Sequence, residues 1–579
     1  MFHLFKIKIS KIAIFTSLYL VISGGLFFVG TSAYQYYTQR PNFIKWSSPD
    51  ETANYFFSKL YAETGQLTIS NKISMPEAEI VRPRSFKAPQ GVFEPISFLG
   101  LPLLYGFIAK LLSINILPYL TPLFGVLGLW FFFGLVKRIF NQPTALIATT
   151  LATTFPVYWY YSSRSMFHNI LFIVAGLGSL YCGLRAVERI RLVRRQVRRH
   201  WPVLIWLALS GLAFGLAVAT RTSELLWLGP VLVILIIFYF KEIGWYRWLW
   251  WLVWSWTIML PVTFWNIILH GRWYGGGYPD MEQSVSTLGQ TGLSLFNWHN
   301  FTDGSLLMTK LELLKKTIFY FGFWPQQSWI IFRHYVLEMF PWLLPLAAIG
   351  VIIFIFGWHQ WSKEKWLYLF SWLLISIFLV VYYGSWRFTD NPDPNSVTIG
   401  NSYTRYWLPL YLGALPWAAD GLRRLVYFLF RQQVAKHIVV VAVALICLWS
   451  IRFTASGSEE GLIPSAQRQI ASYRLWSEVM SKTESDSIII TQYQDKLFFP
   501  ERQVIVGLFD NEVMNQYYGR LAQNYPLYYF NFRFQPVDLE YLNNRRLFKF
   551  GYLLREVWQD QEFSLYHLEQ TDQSRLDQK

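Results

Sequence analysis

The topology of this chain turns on Ile96-Ser97-Phe98-Leu99-Gly100-Leu101-Pro102, the start of an apolar segment at about 95–112. A helix needs ~20 apolar residues to span a bilayer. This one is short and is broken by Pro102, so it reads as an interfacial helix lying on the outer leaflet. Counted as a span, it would invert the sidedness of the segment before it relative to every later loop. Kept at the surface, it closes a long outer loop, about 34–115, that follows the first apolar segment. The same loop holds Ser48-Pro49-Asp50-Glu51-Thr52-Ala53-Asn54-Tyr55, which opens a short helix running to Gly65. Between the two helices lies a stretch rich in Pro and charge, from Asn71 to Pro89.

Outside this loop the chain is mostly membrane. Of its 579 residues 53% are hydrophobic and only 15% charged, against ~25% charged in soluble chains. Apolar blocks near 12–33, 116–136, 144–161, 168–185, 202–220, 224–240, 248–269, 335–357, 366–384, 406–422 and 437–453 give about eleven spans. The 28 Trp and 35 Tyr fit aromatic belts at the two interfaces. The net charge of +16 suggests nucleic acid only until its distribution is read. Lys6, Lys8 and Lys11, Lys137-Arg138, the arginines from Arg185 to Arg199, Lys241 and Arg247, Lys363 and Lys365, and Arg423 to Lys436 all fall on one side of eleven spans. That is the positive-inside pattern, with a cytoplasmic N-terminus, an outer C-terminus and no nucleic-acid partner. The first segment reads as an uncleaved anchor, being long for a signal h-region, although Thr31-Ser32-Ala33 is a passable cleavage site. Cys182 and Cys447 lie in separate predicted spans and give neither a disulfide framework nor metal spacing.

The expected fold is therefore a polytopic α-helical membrane module over 1–455, with a large first outer loop. A small extracytoplasmic α/β domain follows over 456–579. Ser487–Thr491, Gln503–Gly507 and Leu527–Phe530 read there as short buried strands between polar helices.

Asp50 and Glu51 carry the catalytic expectation, because a carboxylate at the membrane surface can act as a general base. They also have a purely structural reading. Ser48, Pro49 and Glu51 form a capping-box pattern, and acids in a first turn suit the helix dipole. Capping occupies Glu51 and leaves Asp50 to face a pocket, so Asp50 is the better base. Arg84 and Lys87 precede the interfacial helix; such residues ordinarily snorkel, but they can also neutralise a lipid phosphate. Arg164, His168 and Asn169 sit at the outer end of a span, as do Arg221 and Arg405-Tyr406. Basic residues on the outer face oppose the positive-inside trend and suggest a bound anion, for which phosphate is the natural candidate.

Pro49-Asp50-Glu51 followed by Tyr55, Ala62 and Gly65 resembles the first outer loop of GT-C glycosyltransferases. The resemblance is nearest to the protein O-mannosyltransferases and the lipid A aminoarabinose transferases. Lys87-Ala88-Pro89 resembles the Lys-Pro step of the latter. Gly211 to Ala217 with Thr220-Arg221, then Asn266, Gly271 and Gly277-Tyr278, and Arg405-Tyr406-Trp407-Leu408-Pro409, are similar to recurrent bundle segments over roughly 10–425. The resemblance implies a polyprenyl-phosphate-linked sugar donor and a glycan, lipid or protein acceptor. Asp50 would deprotonate the acceptor hydroxyl, the anomeric carbon would invert, and Lys87 would meet the phosphate. Tyr278, Arg405 and Tyr406 would contact substrate. Relatives often carry an acid in the second outer loop, sometimes on a metal. Here Ser163 to Asn169 has no carboxylate, so no cofactor is expected and a divalent metal is not supported. The rivals are an O-antigen-type polymerase or ligase, which leaves Asp50-Glu51 unexplained, and a transporter. The latter would place its polar residues at mid-bilayer, often in repeated halves, and no repeat is visible.

Overall fold

A computed structural model of the protein describes residues 11–195, 201–273, 312, 319, 322–357, 362–388, 390, 393 and 396–571. Tyr278 and the glycine run before it lie outside these residues. The chain forms two compact units, Met1–Gln35 with Pro118–Ser465 and Tyr36–Leu117 with Ala466–Lys579. This differs from the expected division at 455/456. The first loop belongs with the C-terminal tail rather than with the helices. The physical reason is a shared core: Ile73, Ala78 and Val81 of the loop are buried in one cluster with Ile488, Ile490, Tyr529 and Leu568 of the tail.

In the first unit, among the described residues, eight helices have the length and apolarity to cross a membrane. A ninth span results if Pro325–Glu338 and Leu343–Phe356, bent by 90° to each other, are taken together. Two more of the eleven expected spans are helical but fall short of a simple span. The 144–161 block is split into Gln142–Thr154 and Pro156–Arg164, because Pro156 has no N–H to continue the first helix. The block at 406–422 becomes Leu408–Leu429, which carries Asp420, Arg423 and Arg424. Asp420 is buried and accepts bonds from Thr144 Oγ1 at 2.9 Å and Arg423 at 3.0 Å, with Arg424 at 2.8 Å. The result is a multi-pass integral membrane protein.

Helix packing follows the membrane rule that small residues let backbones approach. Gly211 and Gly215 of Trp201–Thr220 lie against the backbone of Trp251 and Ser255, where any Cβ would collide. At one end of the bundle Arg191 bridges Glu242 at 2.5 Å and Glu364 at 3.0 Å. That network ties His168–Arg195, Leu225–Ile243 and Lys363–Gly384 together.

The second unit opens with the helix Pro49–Thr64, closed by Gly65 at φ 72°, where glycine adopts the left-handed conformation without strain. A helix stands where the short one was expected, Gly100–Leu111, 12 residues and too short to span. Strands β1 (Ile69–Ser70), β2 (Phe86–Lys87) and β3 (Val92–Pro95) form a small antiparallel sheet in the order β1-β3-β2. The tail supplies β4 (Ile488–Thr491), β5 (Gln503–Val506) and β6 (Leu527–Phe532), the three expected strands. A hairpin, β7 (Tyr552–Gln559) and β8 (Phe563–Gln570), extends the sheet. The order is β5-β4-β6-β8-β7, with β5, β4 and β6 parallel and the hairpin antiparallel. Strand β4 sits between its two successors, so the chain leaves it first to one side and then to the other. In open α/β sheets that switch point is where ligands enter, at the carboxyl ends of the strands. Here residues of the first loop occupy the region. Arg82 pairs with Ile505 of β5, and Arg84 bonds Tyr493 and Asp495 just past β4.

Candidate functional site

In the second unit, the sequence expectation for Asp50 and Glu51 resolves into two environments. The Ser48 N–H donates to Glu51 Oε2 at 2.8 Å, which is one half of a capping box, and Glu51 is fully buried. A carboxylate there answers an orphan N–H and the positive end of the helix. Asp50, one position earlier, is half-buried and accepts a hydrogen bond from Ser85 Oγ at 2.8 Å. Ser85 has φ 64°, a left-handed conformation rare for a residue with a Cβ.

The residues around Ser85 explain its position. The Arg84 backbone N–H donates to Asp495 Oδ2 at 2.9 Å, and its guanidinium to Asp495 Oδ1 and the Tyr493 carbonyl. Asp495 is completely buried, so Arg84 is engaged in holding the loop to the sheet. Phe86 is also fully buried, with its ring centroid 4.8 Å from Phe57 and 5.1 Å from Phe499. Arg82 Nη1 donates to the Phe86 carbonyl at 2.6 Å. Lys87 follows on β2, half-buried and directly across from Glu94 on β3. Burial pushes the Glu94 carboxyl above its usual range, and the Lys87 ammonium offsets part of that rise.

In the first unit, Arg164, Arg405 and Arg221 alternate with two rings. The Arg164 guanidinium lies 5.8 Å from the Phe167 centroid, and Arg405 lies 4.9 Å from the same ring. Arg405 is also 5.1 Å from Tyr406, and Arg221 is 4.8 Å from Tyr406. Tyr406 stacks on Tyr383 at 4.3 Å with the planes 9° apart. Arg221 Nε donates to Glu224 Oε1 at 2.9 Å; Tyr383 Oη donates to the same oxygen at 2.7 Å, and Trp227 Nε1 to Glu224 Oε2. Arg221 and Glu224 are both buried. A buried ion pair is weak evidence of stability, since desolvation offsets most of its Coulomb gain. In a membrane protein it is better evidence of a site. Asn169 Nδ2 donates to the Arg405 carbonyl at 3.2 Å and so joins the helix His168–Arg195 to the segment Ser402–Tyr406. His168 is buried at the start of its helix.

The turn that presents Arg164 is strained. Ser165 has φ 65° and Met166 φ 52°. Gln35 Nε2 holds it by donating to the carbonyls of Ser163 at 2.7 Å and Arg164 at 2.8 Å. Strain of this kind persists only where the surroundings over-determine it, and it clusters at functional sites. Among the described residues, no group of three or more His, Cys, Asp or Glu could hold a metal ion.

Beside the Arg221–Glu224 pair lies a cavity of about 260 Å³, lined by Phe172, Trp227, Leu228, Val231, Trp251 and Trp372 among others. Its wall runs down the helix Leu225–Ile243 from Trp227 to Ile243. That distance is about 24 Å at 1.5 Å per residue, most of a ~30 Å hydrocarbon core. Trp227 belongs to both features, since it lines the cavity and bonds Glu224.

Sequence reasoning missed Ser85, Glu224, Tyr383 and Phe167. Only Glu224 left a sign, the Arg221-x-x-Glu224 spacing at a helix break.

No protein-family profile matches this chain, and no curated protein matches its sequence. Solved structures do match its fold. The oligosaccharyltransferase AglB from Archaeoglobus fulgidus, in complex with an inhibitory peptide and a dolichol-phosphate, matches with TM-score 0.54 and 12% identity. The match covers 90% of this chain and 70% of AglB. ArnT from Cupriavidus metallidurans in the apo state matches with TM-score 0.52 and 12% identity, over 96% of this chain and 98% of ArnT. ArnT bound to undecaprenyl phosphate matches with TM-score 0.51, over the same shares of the two chains. The chain has the GT-C fold. The similarity takes in nearly all of ArnT but only part of AglB, so the GT-C architecture here is ArnT-like in extent.

Proposed function

We propose that this protein is an integral-membrane glycosyltransferase that moves a sugar from a polyprenyl-phosphate-linked donor to an acceptor hydroxyl on the outer face, with inversion. The observation that carries the reading is the unequal treatment of two adjacent acids. Glu51 caps its helix, while Asp50 presents a half-buried carboxylate oriented by a hydroxyl donor. The GT-C fold supports the same reaction class. In the proposed step Asp50 takes the acceptor hydroxyl proton, and the acceptor oxygen bonds to the anomeric carbon. The bond from that carbon to the phosphate oxygen breaks, and the electron pair leaves with polyprenyl phosphate. Cationic groups stabilise the departing phosphate. Lys87 is our candidate for that contact in the first loop. Within the first unit, taken by itself, the long cavity suits an apolar chain and the Arg221–Arg405 group beside it suits an anion. No divalent metal is required by this scheme.

The test is an assay of the purified protein against polyprenyl-phosphate-linked mannose, glucose and aminoarabinose, reading release of polyprenyl phosphate. Turnover of none of them would remove the reading. Two further results are expected. Lys87→Ala should weaken donor use by about 1.5–3 kcal/mol, the range for a hydrogen bond to a charged group; unchanged donor kinetics would take Lys87 out of the site. The second concerns topology. The placement of the Lys/Arg clusters puts the tail outside the cytoplasm. A reporter that works only in the cytoplasm, fused after Gln578, should be silent. An active one would overturn the sidedness of the whole scheme.

A further inference from the structure

We infer that Ser85 is a positioning residue for Asp50: its strained backbone exists to aim a hydroxyl donor at the carboxylate. This rests on the proposed role of Asp50 as the base. Ser85 Oγ donates to Asp50 Oδ1 at 2.8 Å, across 35 residues of sequence. The donor stands at φ 64°, where a side chain with a Cβ costs free energy that glycine does not. Glycine would hold the same backbone unstrained, but it would remove this donor from Asp50. The strained residue is therefore the one that performs the contact.

The conformation is imposed from both sides. On one flank Arg84 is anchored through its backbone N–H and its guanidinium to the fully buried Asp495. On the other, Phe86 is sunk among Phe57, Phe93 and Phe499. With both neighbours fixed, the peptide between them has little freedom, and Ser85 is held in register with the first turn of Pro49–Thr64. Asp50 lies in that first turn, so its backbone is fixed as well. A general base must be held within a narrow geometry to act, and misplacement by about 1 Å can cost on the order of 100-fold.

The experiment compares Ser85→Gly, Ser85→Ala, Asp50→Asn and the double variant Asp50→Asn/Ser85→Gly in the full-length protein, with the same three polyprenyl-phosphate-linked sugars as donors. Both Ser85 variants lose the hydroxyl, and only Ser85→Ala keeps the strain. Each should lower kcat by roughly 10- to 100-fold with little change in donor KM, while Ser85→Gly has the higher Tm of the two. In the Asp50→Asn background, adding Ser85→Gly should cost no further activity, because the base that Ser85 positions can no longer take a proton. Activity that follows Tm instead, with Ser85→Gly active and Ser85→Ala impaired, would make Ser85 a purely structural residue and overturn the inference. So would additive losses in the double variant. An inactive Asp50→Asn beside fully active Ser85 variants defeats this inference alone. An active Asp50→Asn, or a wild type that turns over none of the donors, defeats the proposed function and Ser85 with it.

Discussion

Asp50→Asn should lower turnover by roughly 100-fold or more, the scale of general-base catalysis, while leaving the protein folded. Asparagine keeps the size of the side chain and an oxygen that can accept from Ser85, but it cannot take a proton. The helix start is indifferent to the change, since Glu51 rather than Asp50 accepts from the Ser48 N–H. Glu51→Gln is the matched control. Its amide oxygen can still accept that bond, so it should retain far more activity than Asp50→Asn. Measured kcat for the two variants decides between them. If Glu51→Gln is dead and Asp50→Asn turns over normally, the roles are reversed. If both remain active on the donor, the pair is only a helix start.

Arg84→Ala should destabilise the protein by roughly 3 kcal/mol, the lower end for breaking a buried pair, because Arg84 is itself one-third exposed. The cost comes from what is left behind. Asp495 has 0% exposure and would keep its carboxylate without the guanidinium that now bonds it at 2.5 Å. The second unit should lose stability first, seen as earlier proteolysis or a lower Tm. Asp495→Asn in the Arg84→Ala background should recover part of the loss by removing the buried charge. A fully stable Arg84→Ala with weakened donor use would instead restore Arg84 to the phosphate-binding role that its sequence position suggests.

The apolar blocks of the fold were legible because a bilayer demands about 20 consecutive apolar residues and the chain supplies them in clear runs. Two blocks misled in detail, and each has a local cause. Pro156 splits one helix, and the buried Asp420 with its two arginines makes another too polar to qualify as a simple span. Strands β4, β5 and β6 were visible as short apolar runs. The β7–β8 hairpin was not, because Arg555, Glu556 and Glu569 interrupt its apolar residues. The candidate site was legible where chemistry is local. Ser48-Pro49-Asp50-Glu51 announces a capped helix with one acid to spare. It was illegible where contacts are distant. Arg84 has the look of a surface cation until its partner, 411 residues away, is known. Nothing in a serine foretells φ 64°, and nothing local to Arg221 reveals Tyr383, 162 residues on.

The union of the first loop with the tail sets the order in which the protein can be completed. The loop bearing Asp50 is made early, yet Ile73, Ala78 and Val81 find their core partners only when β4 and the strands after it have been synthesised. At about 5–20 residues per second, the 411 residues between Arg84 and Asp495 take roughly 20–80 s to make. Throughout that interval the helices can enter the membrane one by one, while the loop waits with its apolar residues uncovered and Ser85 not yet clamped. A chain that stops before β4 would carry every apolar helix and still lack the buried Asp495 that anchors Arg84. With Asp50 in its proposed role, a chain terminated before β4 would carry its apolar helices but lack activity, because the Asp50 segment would be left without the sheet that completes its core.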